Sequence, residues 1–172
     1  DSDYHLIING TAYNWLCAYD HIPPSTDENG RPYMSGTTRI YHLPDKESRD
    51  FCVAMISNRI AYWFWSVIGD GFHFNSSFLV DFKVGKDTFT ESQYSELCRL
   101  GRKYSEQIKK HPMVSHNAEK KIVNYSHWEA MNTVRRIEKI IIDSLNISDD
   151  FASHIEEWYF NQVHCNRDNE KR

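Results

Sequence analysis

Apolar and polar positions change period several times along the chain, and each change predicts an element. From Tyr4 to Tyr19 apolar residues alternate unevenly with polar ones. Leu6, Ile8, Tyr13, Trp15 and Cys17 predict one or two strands at a sheet edge or in a hairpin. Between Ile22 and Ser35 lie Pro23-Pro24-Ser25, Asp27-Glu28-Asn29-Gly30 and Pro32. Proline fixes φ and glycine supplies positive φ, so a surface loop is expected there. Thr38 to Leu43 reads as a short strand that Pro44 ends. With Asp45 as N-cap, a single continuous helix is expected as far as Ile68, where Gly69 stops it. Phe51, Met55, Asn58, Tyr62 and Trp65 share one face of it, and Val53, Ile56, Ile60, Trp63 and Val67 the other. Its second half is apolar all round, which places Trp65 in the core and makes Tyr62-Trp63-Phe64-Trp65 packing residues rather than a base-stacking platform.

Gly69-Asp70-Gly71 predicts a tight turn, and the even spacing of Phe72, Phe74, Phe78, Val80 and Phe82 a strand pair or one bent strand. Thr90-Glu91-Ser92-Gln93 has capping-box form and opens a helix through Tyr94, Leu97, Gly101, Tyr104 and Ile108, which His111-Pro112 ends. Met113 to Trp128 is polar and histidine-bearing and reads as a loop or marginal helix. Val134, Ile137, Ile141 and Leu145 define an amphipathic helix, and Ser148-Asp149-Asp150 starts another through Ile155 and Tyr159. The short Asn146-Ile147 joint makes them a helical hairpin. The fold class expected is α+β: a small mixed or antiparallel sheet packed against a long aromatic helix, with a C-terminal helical hairpin. The expected divisions are a core over 1–130, the hairpin over 131–165 and a frayed polar tail over 166–172.

Composition narrows the class. A chain of 172 residues suits one domain, and 40% hydrophobic with 14% aromatic content is too apolar for disorder. No stretch reaches the roughly 18 apolar residues of a membrane span, and Asp1-Ser2-Asp3 does not open a signal peptide. The chain starts in mid-pattern and reads as a piece of something longer. Cys17, Cys52, Cys98 and Cys165 form no Cys-x-x-Cys pair, so reduced thiols and a cytoplasmic setting are expected. No His or Cys spacing suits zinc, so no metal is expected. The net charge of −4 is unlike a generic nucleic-acid coat. Yet Lys83 to Lys139 holds 12 Lys and Arg against 7 Asp and Glu, which suggests a basic face beside acidic ends.

Catalytic patterns are missing. No glycines form a Gly-x-Gly-x-x-Gly or phosphate loop, and nothing resembles Gly-x-Ser-x-Gly. Asp149/Asp150 and Glu156/Glu157 are helix neighbours that point apart. Asp81-Phe82-Lys83 has the carboxylate-x-lysine form of a divalent-metal nuclease on an expected strand. It lacks a preceding Pro-Asp and a spaced second acid.

Two segments carry a resemblance. Ile56-Ser57-Asn58-Arg59 through Tyr62-Trp63-Phe64-Trp65-Ser66-Val67-Ile68-Gly69-Asp70-Gly71-Phe72-His73-Phe74-Asn75 resembles the C-terminal target-recognition (specificity) region of adenine-specific DNA methyltransferases, including fused type II restriction-modification enzymes. Val134 to Ile141, continued by Leu145 to Asp150 and Ile155-Glu156, is similar to the closing helices of the same enzymes. The resemblance implies a bacterial parent that uses S-adenosylmethionine and, in the fused enzymes, carries a nuclease, with this fragment reading double-stranded DNA beside the parent's catalytic domain. Ile22-Pro23-Pro24-Ser25 is not the family's catalytic tetrapeptide. The fragment is therefore expected to be no enzyme and to hold neither cofactor nor the flipped target base. Arg31, Arg39, Lys109, Lys110, Lys120 and Lys121 fall on expected loops or strand ends and are the candidate DNA contacts, through base edges or phosphates. The competing reading is a protein-docking module without direct DNA contact.

Overall fold

The computed structural model describes residues 3–12 and 14–169, without the side chains of 163–169. Tyr13, the Cys165 side chain and residues 170–172 therefore lie outside the described residues. Over the described residues the fold is α+β, with small antiparallel sheets and six α-helices.

Strand β1 (Tyr4–Ile8) is the middle of a three-stranded antiparallel sheet, flanked by β2 (Ala18–Tyr19) and β3 (Arg39–Leu43). Ile7 sits opposite Tyr19 on one side and Ile40 on the other. Both expected strand regions and the intervening loop are present.

The expected continuous helix from Asp45 to Ile68 is a correction: two helices, α1 (Lys46–Ile56) and α2 (Arg59–Ile68), meet at a 66° bend. Asn58 is the cause. Its carbonyl oxygen caps α2 by accepting from the Ala61 amide at 2.9 Å, and its amide nitrogen donates to the Ala54 and Met55 carbonyls that end α1. One buried side chain thus ends one helix and starts the next. Trp65 is buried at 2% exposure, as its position on α2 predicts.

Gly71 turns the chain at φ +75°, and Asp70 accepts from the amides of Phe72 and His73. The strand expected over Phe72 to Phe82 does not form. A lone bridge joins His73 to Thr11, and then α3 (Ser77–Asp81) follows. Phe74, Phe78 and Phe82 stand four apart, the spacing of a helix face. Phe78 and Phe82 pack on Phe64 of α2 at ring distances of 6.0 and 5.3 Å. Asp81 accordingly ends a helix, not a strand.

Helix α4 (Glu91–Ile108) starts with the expected capping box. Gly101 lets it lie directly on α1, because a Cβ there would overlap the Asp50 carbonyl. The next segment is a second correction. The expected loop or marginal helix is an antiparallel hairpin of β4 (Pro112–Asn117) and β5 (Lys120–Tyr125), turned by Ala118 and Glu119 at φ +46° and +67°. Val123 and Tyr125 alternate into the core and hold it in place.

The closing helices are α5 (Met131–Leu145) and α6 (Asp149–Asn169), joined through Asn146 in a left-handed conformation. Ile137, Ile141 and Ile155 share a hydrophobic cluster with Phe51, Met55 and Leu97, while Tyr159 belongs to a second cluster with Trp15, Tyr62 and Trp65. Buried Arg59 fastens the arrangement, bonding Glu138 of α5 through its Nε and backbone amide and pairing with Glu156 of α6. Among the described residues no single helix is long and apolar enough to cross a membrane.

Candidate nucleic-acid interface

Every residue of β4, the outer strand of the hairpin, is exposed. The hairpin is anchored at both ends. At its base Ser126 donates to the His111 carbonyl, and near its tip Thr26 and Lys121 exchange both backbone hydrogen bonds at 2.9 Å. The proline-rich loop therefore pairs with β5 and leaves β4 as the free edge. Ser25 Oγ adds a further link by accepting from the Val123 amide.

This stitching gathers some of the candidate cations and separates others. Asp27 donates to the Arg31 carbonyl, so Arg31 stands one hydrogen-bonded step from the Thr26–Lys121 bridge. Lys120 lies over the Tyr33 ring at 4.6 Å. Arg31, Lys120 and Lys121 thus meet around the hairpin tip. Lys109 and Lys110 follow α4 at the hairpin base, and Arg39 opens β3 on the other sheet. Lys109 is tied to Asp20 at 2.9 Å, whereas the other five candidates have no ion pair among the described residues.

Many cations of the basic segment are ion-paired. Arg99 and Arg136 pair with Glu96, Arg102 with Asp50, Arg135 with Glu156 and Lys139 with Asp143. Most of its charge is engaged in ion pairs, and Lys83, Lys103, Lys110, Lys120 and Lys121 have none among the described residues, the last two standing at the hairpin tip.

Between the hairpin and the loop over Tyr33 to Thr38 opens a cleft of about 710 Å³. The alternation of the hairpin places Met113 and Ser115 of β4 opposite Asn124 and Ile122 of β5 on the cleft side, with Asn117 opposite Lys120 at its end. The opposite wall and floor come from Asn9, Thr11, Trp15 and Cys17 at the end of the three-stranded sheet. Trp15 is held rigidly, stacked on His127 with ring centroids 4.3 Å apart and donating to the Tyr104 hydroxyl at 3.0 Å. His127 in turn meets the Tyr159 hydroxyl at 2.6 Å. Burial pushes the Cys17 thiol up.

At the edge of the cleft Asp20, His21 and Tyr125 form a chain, with His21 Nδ1 at 2.8 Å from Asp20 and Nε2 at 2.7 Å from the Tyr125 hydroxyl. Burial would raise the Asp20 carboxyl, but the hydrogen bonds and charges of His21 and Lys109 outweigh it and hold the group well below the usual range. Burial also raises the Tyr125 phenol.

A second hollow of about 370 Å³ lies over Arg59 between α2, α5 and α6, and its rim cations Arg135 and Lys139 are both ion-paired. Among the described residues no group of three or more His, Cys, Asp and Glu could hold a metal ion.

Comparison with known proteins adds nothing to this geometry. No protein family, curated protein or solved structure matches the chain.

The cleft residues Asn9, Asn117 and Asn124 were not among the sequence candidates. The available signal was the β-branched pair Ile122-Val123 within the Lys120 to Tyr125 run, bounded by Pro112 and Ser126.

Proposed function

We propose that this chain is a DNA sequence-recognition module that presents the β4–β5 hairpin to the major groove of a duplex. One observation carries the reading: a two-stranded ribbon anchored through β5 and fully exposed along β4, whose tip gathers the unpaired cations Arg31, Lys120 and Lys121, and whose cleft face bears Ser115, Asn117 and Asn124. A two-stranded ribbon fits the roughly 12 Å major groove, amides and hydroxyls read base edges there, and cations position the duplex on phosphates. The resemblance in the sequence supports the same reading. It adds a parent that methylates adenine with S-adenosylmethionine and whose catalytic domain would be the fragment's partner.

The test is duplex binding by fluorescence anisotropy across a salt series. Binding should be measurable at about 50 mM salt and weaken steeply as counterion release loses its advantage. Replacing Lys120 and Lys121 by Glu should weaken binding to all sequences alike, while Asn117→Ala should change sequence preference. A folded protein that binds no duplex at about 50 mM salt favours docking instead. That second reading has its own support in Val67, Ile68, Phe72, Leu79 and Val80, which are exposed at the corner between α2 and α3.

A further inference from the structure

We infer that the cleft beside the hairpin is a nucleobase site, taking one unpaired base with its sugar and phosphate directed to the rim; the inference deepens the DNA reading and rests on it for the source of that base. Four features of the cleft converge on this chemistry. Its volume of about 710 Å³ lies within the range of roughly 300–1,000 Å³ that small-ligand sites occupy. Its described lining contains no Asp, Glu, Lys or Arg, so the buried part of an occupant carries no charge that the walls could balance.

The third feature is a pair of amides. Asn9 donates one N–H to the Asn124 carbonyl at 3.3 Å and another to the Tyr19 hydroxyl at 3.5 Å, which uses both of its donors. The Asn9 carbonyl and the Asn124 amide nitrogen have no further partner among the described residues. Joined side by side, they offer an acceptor next to a donor. Every nucleobase carries the matching donor and acceptor on adjacent positions of one edge, and a side-chain amide engages them in the same way.

The fourth feature is the distribution of rings and charge around the mouth. Tyr33 is a half-buried aromatic side chain in the lining, suited to the π-face of a base on the side that Lys120 does not cover. Lys120 stands over Tyr33 and puts a cation at the mouth, whereas the described lining holds none. An uncharged floor under a cationic rim sorts a nucleotide base-inward and phosphate-outward. The occupant is either an extrahelical base of a bound duplex, other than the target base that the parent's catalytic domain would take, or a free nucleotide, and the chemistry is shared.

The experiment titrates the whole chain with the four nucleosides, their monophosphates, a fully paired duplex and the same duplex with one unpaired base. Quenching of the cleft tryptophans and NMR shifts of the asparagine side-chain amides report occupancy. At least one nucleoside should saturate the protein. If DNA is the source, the duplex with the unpaired base should bind about tenfold more tightly than its paired counterpart. Equal binding of the two duplexes, with nucleosides still bound, assigns the site to free nucleotides. Asn124→Asp keeps the acceptor that Asn9 needs and removes the free donor, so it should weaken an uncharged nucleoside about tenfold. Tyr33→Ala should weaken it as well while Tyr33→Phe does not, which keeps the test open if the Asn124 variant misfolds. A folded protein that binds paired duplex through Lys120 and Lys121 but shows no nucleoside saturation and no preference for the unpaired base overturns the cleft assignment and leaves DNA reading standing. Nucleoside saturation without any duplex binding does the reverse.

Discussion

At the scale of single residues, Asp20 shows how one half-buried acid can tie together distant parts of the chain. It follows β2, it is paired with the Lys109 that follows α4, and through His21 it reaches Tyr125 on β5. Its folded carboxyl is depressed below the unfolded value near 3.9, so the stabilisation is present above that value and is lost as pH falls through the folded pKa. Asp20→Asn should therefore lower stability at pH 6, and its deficit relative to the natural chain should shrink as pH drops from about 5 toward 2. Urea unfolding at a series of pH values reads this directly; a deficit of unchanged size at pH 6 and pH 2.5 would contradict it. The exposed Asp70–His73 pair also holds its carboxyl low, at about 2. Being fully exposed, it should contribute little to that pH dependence. Asp20 and His21 could not be linked to Tyr125 from sequence, because over a hundred positions separate the last pair and only the hairpin's docking brings them together.

At the scale of elements, the hairpin turn is strained. Ala118 and Glu119 both adopt positive φ, a conformation that costs L-residues with a Cβ about 1–2 kcal/mol each and glycine nothing comparable. Glu119→Gly should accordingly stabilise the chain by about 1 kcal/mol, less what glycine gains in freedom when unfolded. Thermal or chemical denaturation checks this, and a destabilised variant would mean that the turn's strain is relieved elsewhere. The same turn explains why the hairpin was illegible. Two-residue hairpin turns are announced by Asn-Gly or Asp-Gly, and Asn117-Ala118-Glu119-Lys120 contains neither. The bend between α1 and α2 was hidden for the opposite reason. Asn58 falls at a position that continues an apolar face, so the periodicity runs across the break even though Asn is a strong cap. Phe72 to Phe82 failed through ambiguity, since residues four apart satisfy both an even period and a helical one. Where caps and periodicity agreed, as at Thr90 and through α5, the elements stood where the pattern put them.

At the scale of the whole molecule, the candidate cations were readable as exposed charges, but their grouping was not. Arg31 and Lys121 approach because Thr26 adds to the edge of β5, a pairing that no local pattern encodes. The cleft amides were still less visible, because Asn9 and Asn124 meet only once two sheets are placed side by side. Helix α1 has a similar integrating position. Val53 and Ile56 belong to the cluster around the three-stranded sheet, whereas Phe51, Ala54 and Met55 belong to the cluster under α4 and α5. Neither cluster can come apart while α1 stays in place. The amide protons of Val53 to Ile56 should then exchange with deuterium only when the entire chain opens, with the slowest rates in the protein and a urea dependence equal to that of global unfolding. Faster exchange there than in α4 would show that one half can open alone. Because α1 forms a wall of both clusters, damage to either should be felt in both, and variants at the cleft can be judged folded or unfolded from this one helix.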